Sequence, residues 1–216
     1  MVFSIATFFM ALSIVVVSRF GDPSLSFVQF AYQGTLWFQF AMMVAVFVWY
    51  ATVHVANGLT RRSLTIGSLL AGLGSALFYA STITALLLIE RFVFDQFGWS
   101  HLAADGSGEV LADGAWAYFY GAFLMFIASN LSGLLVVATY YRVGGWRGTL
   151  FLPLTVSPLL LMPLFVTSGA GQMSFFDRSV FDLGVLGPVI ALAIIAISAW
   201  AYFGLLRRIP IKAQTA

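Results

Sequence analysis

Asp95, His101 and Asp105 lie within a glycine-bearing segment, and carboxylate and imidazole groups that close together could ligate a metal ion. The chain would then be a metal-binding membrane enzyme acting on lipid through this acidic outer segment. Spacing of this kind recurs by chance, and we assign no metal ligand and no catalytic residue here. A second grouping is cationic. Residues 54–67 read HVANGLTRRSLTIG, where Arg61 and Arg62 follow Asn57 and Gly58 in an otherwise apolar stretch. Paired guanidinium groups could bind phosphate or the surface of a partner.

Other chemistries are excluded by residue type. The sequence has no cysteine, which removes disulfides, thiol catalysis and iron–sulfur ligation. Its single lysine, Lys212, stands four residues from the end, so no Gly-Lys-Ser/Thr phosphate loop exists and the chain hydrolyses no nucleotide by that route. No HExxH or GxSxG pattern occurs. His54 and His101 are the two histidines, and they cannot supply paired axial ligands to a haem within the bilayer.

The elements that must position these residues are set by hydropathy. The 216 residues are 61% hydrophobic and 8% charged, with a mean hydropathy of +0.98. A soluble domain is about a quarter charged. This composition cannot cover a water-facing surface, and it implies an integral membrane protein. A helix needs about 20 apolar residues to cross the hydrocarbon core. Six stretches qualify: residues 2–18, 35–56, 64–89, 116–141, 149–167 and 184–206. The expectation is a single all-α transmembrane domain of six helices. The first stretch could pass for a signal-peptide core, but no basic residue precedes it and no small-residue cleavage site follows, so it is read as a span.

Alternating connections place Arg61, Arg62, Arg142, Arg147, Arg207, Arg208 and Lys212 on one side, seven cations against Arg19, Arg91 and Arg178 on the other. All eight acids fall on that second side. The positive-inside bias puts the arginine side, and both termini, in the cytoplasm. The net charge of +2 is too small and too dispersed for a nucleic-acid surface.

Between the span ends there is no Asp, Glu, Lys or Arg. Glu90 and Arg91 mark an outer end, where they can pair with each other or snorkel. Only His54, Gln39, Asn130 and hydroxyls remain inside, which does not suit an ion-coupled pathway. The outer segment 91–115 reads as mostly irregular, with a short interfacial helix near residues 92–99. Residues 168–183 mix Phe175, Phe176 and Phe181 with Asp177, Arg178 and Asp182, which suits a segment lying in or dipping into the interface. Pro153, Pro158 and Pro163 predict a kinked or interrupted fifth span. Gly67, Ala71 and Ser75, beside Ser68 and Gly72, and Ser129 with Gly133, are small-residue faces read as intramolecular packing.

Asn57 and Gly58 can end the second span, and Thr60 or Ser63 can cap the third. The connection is then a small knob from which Arg61 and Arg62 project. Taken alone, these arginines would set topology and bind lipid phosphate. The stretch Asn57-Gly58-Leu59-Thr60-Arg61-Arg62 resembles the first cytoplasmic loop of ABC-2 type transporter permeases, where Asn-Gly-x-Thr/Ser-Arg-Arg follows the second helix. The run from Tyr140 to Gly148, which carries Arg142, Gly145 and Arg147, resembles the Tyr-x-Arg-x-Gly-x-x-Gly loop after the fourth helix. The family usually has a basic amphipathic elbow helix before its first span, whereas this sequence begins almost within one.

The resemblance implies a permease subunit of an ATP-driven exporter in a bacterial-type plasma (inner) membrane. It would pair with a second copy or a sister permease, above two ABC ATPase subunits that hold the ATP and magnesium; no cofactor is expected on this chain. Asn57, Gly58, Thr60, Arg61, Arg62 and Ser63 would form the coupling element. Phe38, Met42, Met43, Val46 and Pro158 would line a path for an apolar or amphipathic cargo. The alternative expectation is a non-transporting anchor or assembly subunit of a larger complex, consistent with the missing catalytic groups.

Overall fold

The computed structural model describes residues 25–58, 60–102, 109–166 and 186–207. Within them, α1 (Phe27–Ala56) and α2 (Arg61–Phe97) are joined by a tight turn; α3 (Ala115–Val143) is followed by a short α4 (Gly145–Leu150), then α5 (Leu152–Phe165) and α6 (Leu186–Leu206). Five segments are long and apolar enough to span a membrane, α4 and α5 counting together as Gly145–Phe165. The protein is therefore an all-α, multi-pass membrane protein. The expected first span at residues 2–18 and the interfacial segment 168–183 lie outside the described residues.

α3 is the axis of the bundle and packs against α1, α2, α5 and α6. Residues on all its faces are buried, among them Tyr118, Ala122, Phe126, Asn130 and Leu134. The other long helices turn large apolar side chains outward, including Trp49, Phe78, Phe92, Leu154 and Trp200. Such a surface is stable only against hydrocarbon.

Between apolar helices in lipid, small residues and hydrogen bonds supply the cohesion. Asn130 on α3 donates through Nδ2 to the Gly72 carbonyl at 2.8 Å and to Ser75 Oγ at 3.0 Å on α2. Ser129 Oγ donates to the Leu36 carbonyl of α1 at 2.7 Å. Ser68 and Tyr202 join α2 to α6 through hydroxyls 2.7 Å apart. Of the expected small-residue face on α2, Gly72 is buried and Ser75 is half-buried against α3, whereas Gly67 and Ala71 are exposed. Ser129 and Gly133 both pack against α1.

Two helices outrun the expected spans, and one span is broken. α1 begins eight residues before position 35, because Gln29 and Gln33 sit inside the helix and Thr35 Oγ1 bonds back to the Ala31 carbonyl. α2 continues past Ile89 to Phe97, absorbing Glu90, Arg91 and Asp95, so the short helix expected near residues 92–99 is its last turns. Its 37 residues make about 55 Å of helix, more than the hydrocarbon core requires. The fifth span breaks at Phe151, two residues before Pro153, and Pro158 and Pro163 lie inside α5. Pro158 disturbs the backbone ladder, and the next amide, Leu159 N–H, donates to Ser132 Oγ of α3 at 3.2 Å.

Candidate functional site

At the arginine-bearing end, α1 stops where Gly58 adopts φ +72°, the left-handed conformation that closes a helix and strains any other L residue. α2 then starts on a side-chain cap: Thr60 Oγ1 accepts from the Ser63 amide at 3.2 Å, and Ser63 Oγ donates to the Thr60 carbonyl at 2.7 Å. Of the two expected caps, Thr60 is the one used. Asn57, Gly58, Thr60, Arg61, Arg62 and Ser63 are all exposed. Arg61 Nη1 lies 3.4 Å from the Arg207 carbonyl at the end of α6, which links the knob to the last helix. Thr60→Ala should cost about 1 kcal/mol locally and speed amide exchange in the first turn of α2, with the rest of the bundle unchanged.

The second loop lies at the same end. Rings of Tyr141 (α3) and Tyr202 (α6) meet Phe47 of α1 at centroid distances of 5.7 and 6.4 Å, which brings these helix ends together. Gly144 takes φ +83°, and α4 folds back on α3. Tyr140 lies flat on Gly148, where an added Cβ would come within 2.9 Å of the ring, and its hydroxyl is 2.9 Å from Thr149 Oγ1. Gly144, through its φ, and Gly148, through its close contact with the ring, therefore serve a tight reversal. Arg142, Gly145 and Arg147 are exposed on it.

The residues expected along a path are dispersed. Phe38 and Met42, one turn apart on α1, face outward; Val46 is half-buried; Met43 is buried against Gly72 and Gly133. Pro158 is buried on α5 and, together with Arg142, lines a cleft of about 780 Å³ between α3, α5 and α6. Gln39 and Asn130 are buried in interhelix contacts, and the side chain of His54 lies outside the described residues.

The opposite end holds a polar centre that the sequence reading missed. Glu90 and Arg91 do not pair, because adjacent residues on a helix point apart. Arg91 reaches Glu109 at 3.0 Å on the surface. Glu90 turns inward and is almost wholly buried. It receives Ser26 Oγ at 2.6 Å, the Phe27 amide at 2.7 Å and His101 Nε2 at 3.1 Å. Ser26 Oγ in turn accepts from the Gln29 amide at 3.2 Å, so the first turn of α1 is capped by a hydroxyl and a carboxylate together. Backbone pairing reinforces the join: the Ser26 amide donates to the Leu102 carbonyl at 2.9 Å, and Val110 N–H to the His101 carbonyl at 3.3 Å. His101 is buried here, edge-on to Phe94, and Asp95 is exposed; Asp105 lies outside the described residues. Among the described residues no three potential ligands converge on a metal position.

Architecture and site thus define a multi-pass helical membrane protein with a polar clasp at one end and an arginine-bearing knob at the other. No protein-family model, curated protein or solved structure matches the chain.

Proposed function

We propose that this chain is the permease subunit of an ATP-driven exporter of the ABC-2 type. It would lie in a bacterial-type plasma membrane with its arginine-bearing end and both termini in the cytoplasm. Separate ATPase subunits would hold ATP and magnesium, and a second copy or sister permease would complete the assembly. The supporting observation is the knob. An exposed turn between α1 and a side-chain-capped α2, tied through Arg61 to the end of α6, can pass a push from below to three helices at once. The loop motifs around Asn57 and Tyr140 add the family resemblance. The cargo is apolar or amphipathic: among the described residues the buried acid Glu90 is held in the clasp at one end, and none lines the cleft between α3, α5 and α6.

The test first asks whether a neighbouring reading frame encodes an ATPase, and then co-expresses that ATPase with the intact chain. Arg61→Glu with Arg62→Glu should leave membrane insertion unchanged, lower ATPase co-purification at least tenfold and abolish cargo-stimulated turnover. Unchanged cargo-stimulated turnover in that variant would overturn the reading. Stable co-purification with a different partner, and no ATPase, would favour an anchor or assembly subunit instead.

A further inference from the structure

We propose that the cleft between α3, α5 and α6 binds an anionic glycerophospholipid, with the phosphate on Arg142 and Arg207 and an acyl chain along the apolar wall. The proposal does not depend on the transport reading. The cleft, of about 780 Å³, has the capacity of a small-molecule site, roughly 300–1,000 Å³. Its wall is made of side chains such as Leu135, Leu154, Ile197 and Leu205. The hydroxyls of Thr155, Ser157 and Ser198 on this wall donate to carbonyls of their own helices, those of Leu152, Leu154 and Ile194. The interior therefore suits hydrocarbon.

The rim is different. Arg142 lies in the last turn of α3 and Arg207 just past the end of α6, and both are exposed and line the cleft. Arg207 is held with its guanidinium carbon 4.7 Å from the Phe203 ring centroid. The acids among the described residues, Glu90, Asp95, Glu109 and Asp113, belong to the other end of the bundle, near the α2 C-terminus and the α3 N-terminus. Among the described residues, neither rim arginine has a carboxylate partner. Trp146 and Trp200 are exposed at this end, and Trp200 lines the cleft; such indoles mark headgroup depth. Two guanidinium groups at headgroup depth, above an oily trough, match a phosphodiester joined to an acyl chain in charge and polarity.

Native mass spectrometry of the delipidated protein in detergent tests this, with dioleoyl phosphatidylglycerol and dioleoyl phosphatidylcholine as probes. The wild type should retain the anionic lipid at least tenfold better than the zwitterionic one, and Arg142→Gln with Arg207→Gln should erase that preference. Gly204→Leu projects into the cleft from a position where an added Cβ meets no atom within 4 Å, so it should fill the trough and abolish retention with the arginines intact. Gly74→Leu, equally open but on α2, should change nothing. A photo-crosslinker at Ile197 should capture phosphatidylglycerol. Equal retention of both lipids, undiminished retention in Gly204→Leu, displacement by inorganic phosphate, or crosslinking to another segment of this chain or a second copy would each overturn the proposal.

Discussion

Glu90→Ala should be the most damaging single substitution outside the apolar core, costing about 1–3 kcal/mol for each buried polar group left unpaired. Three groups lose their partner at once: the Ser26 hydroxyl and the Phe27 amide, which donate to the carboxylate, and His101 Nε2, 3.1 Å from it. None of them regains water easily, because the Ser26 and His101 side chains are buried with the carboxylate. The cost is that of leaving buried polar groups unpaired, which exceeds the net value of the bonds themselves. Glu90→Gln should fall between the wild type and the alanine variant. It keeps the length and one acceptor oxygen, but puts an amide donor where a second acceptor is needed. The check is thermal unfolding of the purified protein in detergent, with hydrogen exchange read at residues 26–29 and 99–102. Both variants should lose protection there first. Arg91→Ala is the contrast: its partner Glu109 is solvent-accessible, so the change should stay within about 1 kcal/mol. A melting curve for Glu90→Ala that overlaid the wild type would refute the clasp.

The same centre shows where a single sequence stops being legible. Hydropathy ends a span at the first carboxylate, and on that ground it places a span end at Glu90. A carboxylate can remain inside only if donors reach it, and these come from residues 64 positions earlier and 11 positions later. Nothing within a window around Glu90 announces them. The cores of the five described spans follow from runs of apolar residues, and the expected edges missed mainly where polar residues were absorbed: Gln29 and Gln33 into α1, Glu90 into α2. Caps and turns were more readable, since Gly58 acts through its own backbone angle and Thr60 through neighbours three and four residues away. The path residues were the least readable. Sequence spacing gives the rotation of Phe38, Met42 and Met43 relative to one another, but not which direction faces α3.

The small-residue pair Ser129 and Gly133 was legible as a contact face, and its partner on α1 gives the second large prediction. Ser129 donates to the Leu36 carbonyl, and an added Cβ on Gly133 would lie 2.5 Å from the Phe40 carbonyl oxygen and 3.2 Å from Met43 Cβ. Leu36 and Phe40 are one turn apart, as are Ser129 and Gly133, so two successive turns of α3 rest on the backbone of α1. Gly133→Ala should therefore push the axis of the bundle off its neighbour. Overpacking of this kind costs about 1–3 kcal/mol, and backbone cannot yield as a flexible side-chain tip can. The opposing gain in helix propensity is about 1 kcal/mol, so the net change remains destabilising. Gly74→Ala separates the two effects: it carries the same propensity gain with nothing within 4 Å of the new methyl, and it should be neutral or stabilising. Unfolding midpoints of the two variants in detergent should move in opposite directions. If Gly133→Ala instead rose with Gly74→Ala, α1 would not touch α3 at this depth. The bonds of Asn130 to Gly72 and Ser75, one turn away on α3, would then have to hold the bundle without it.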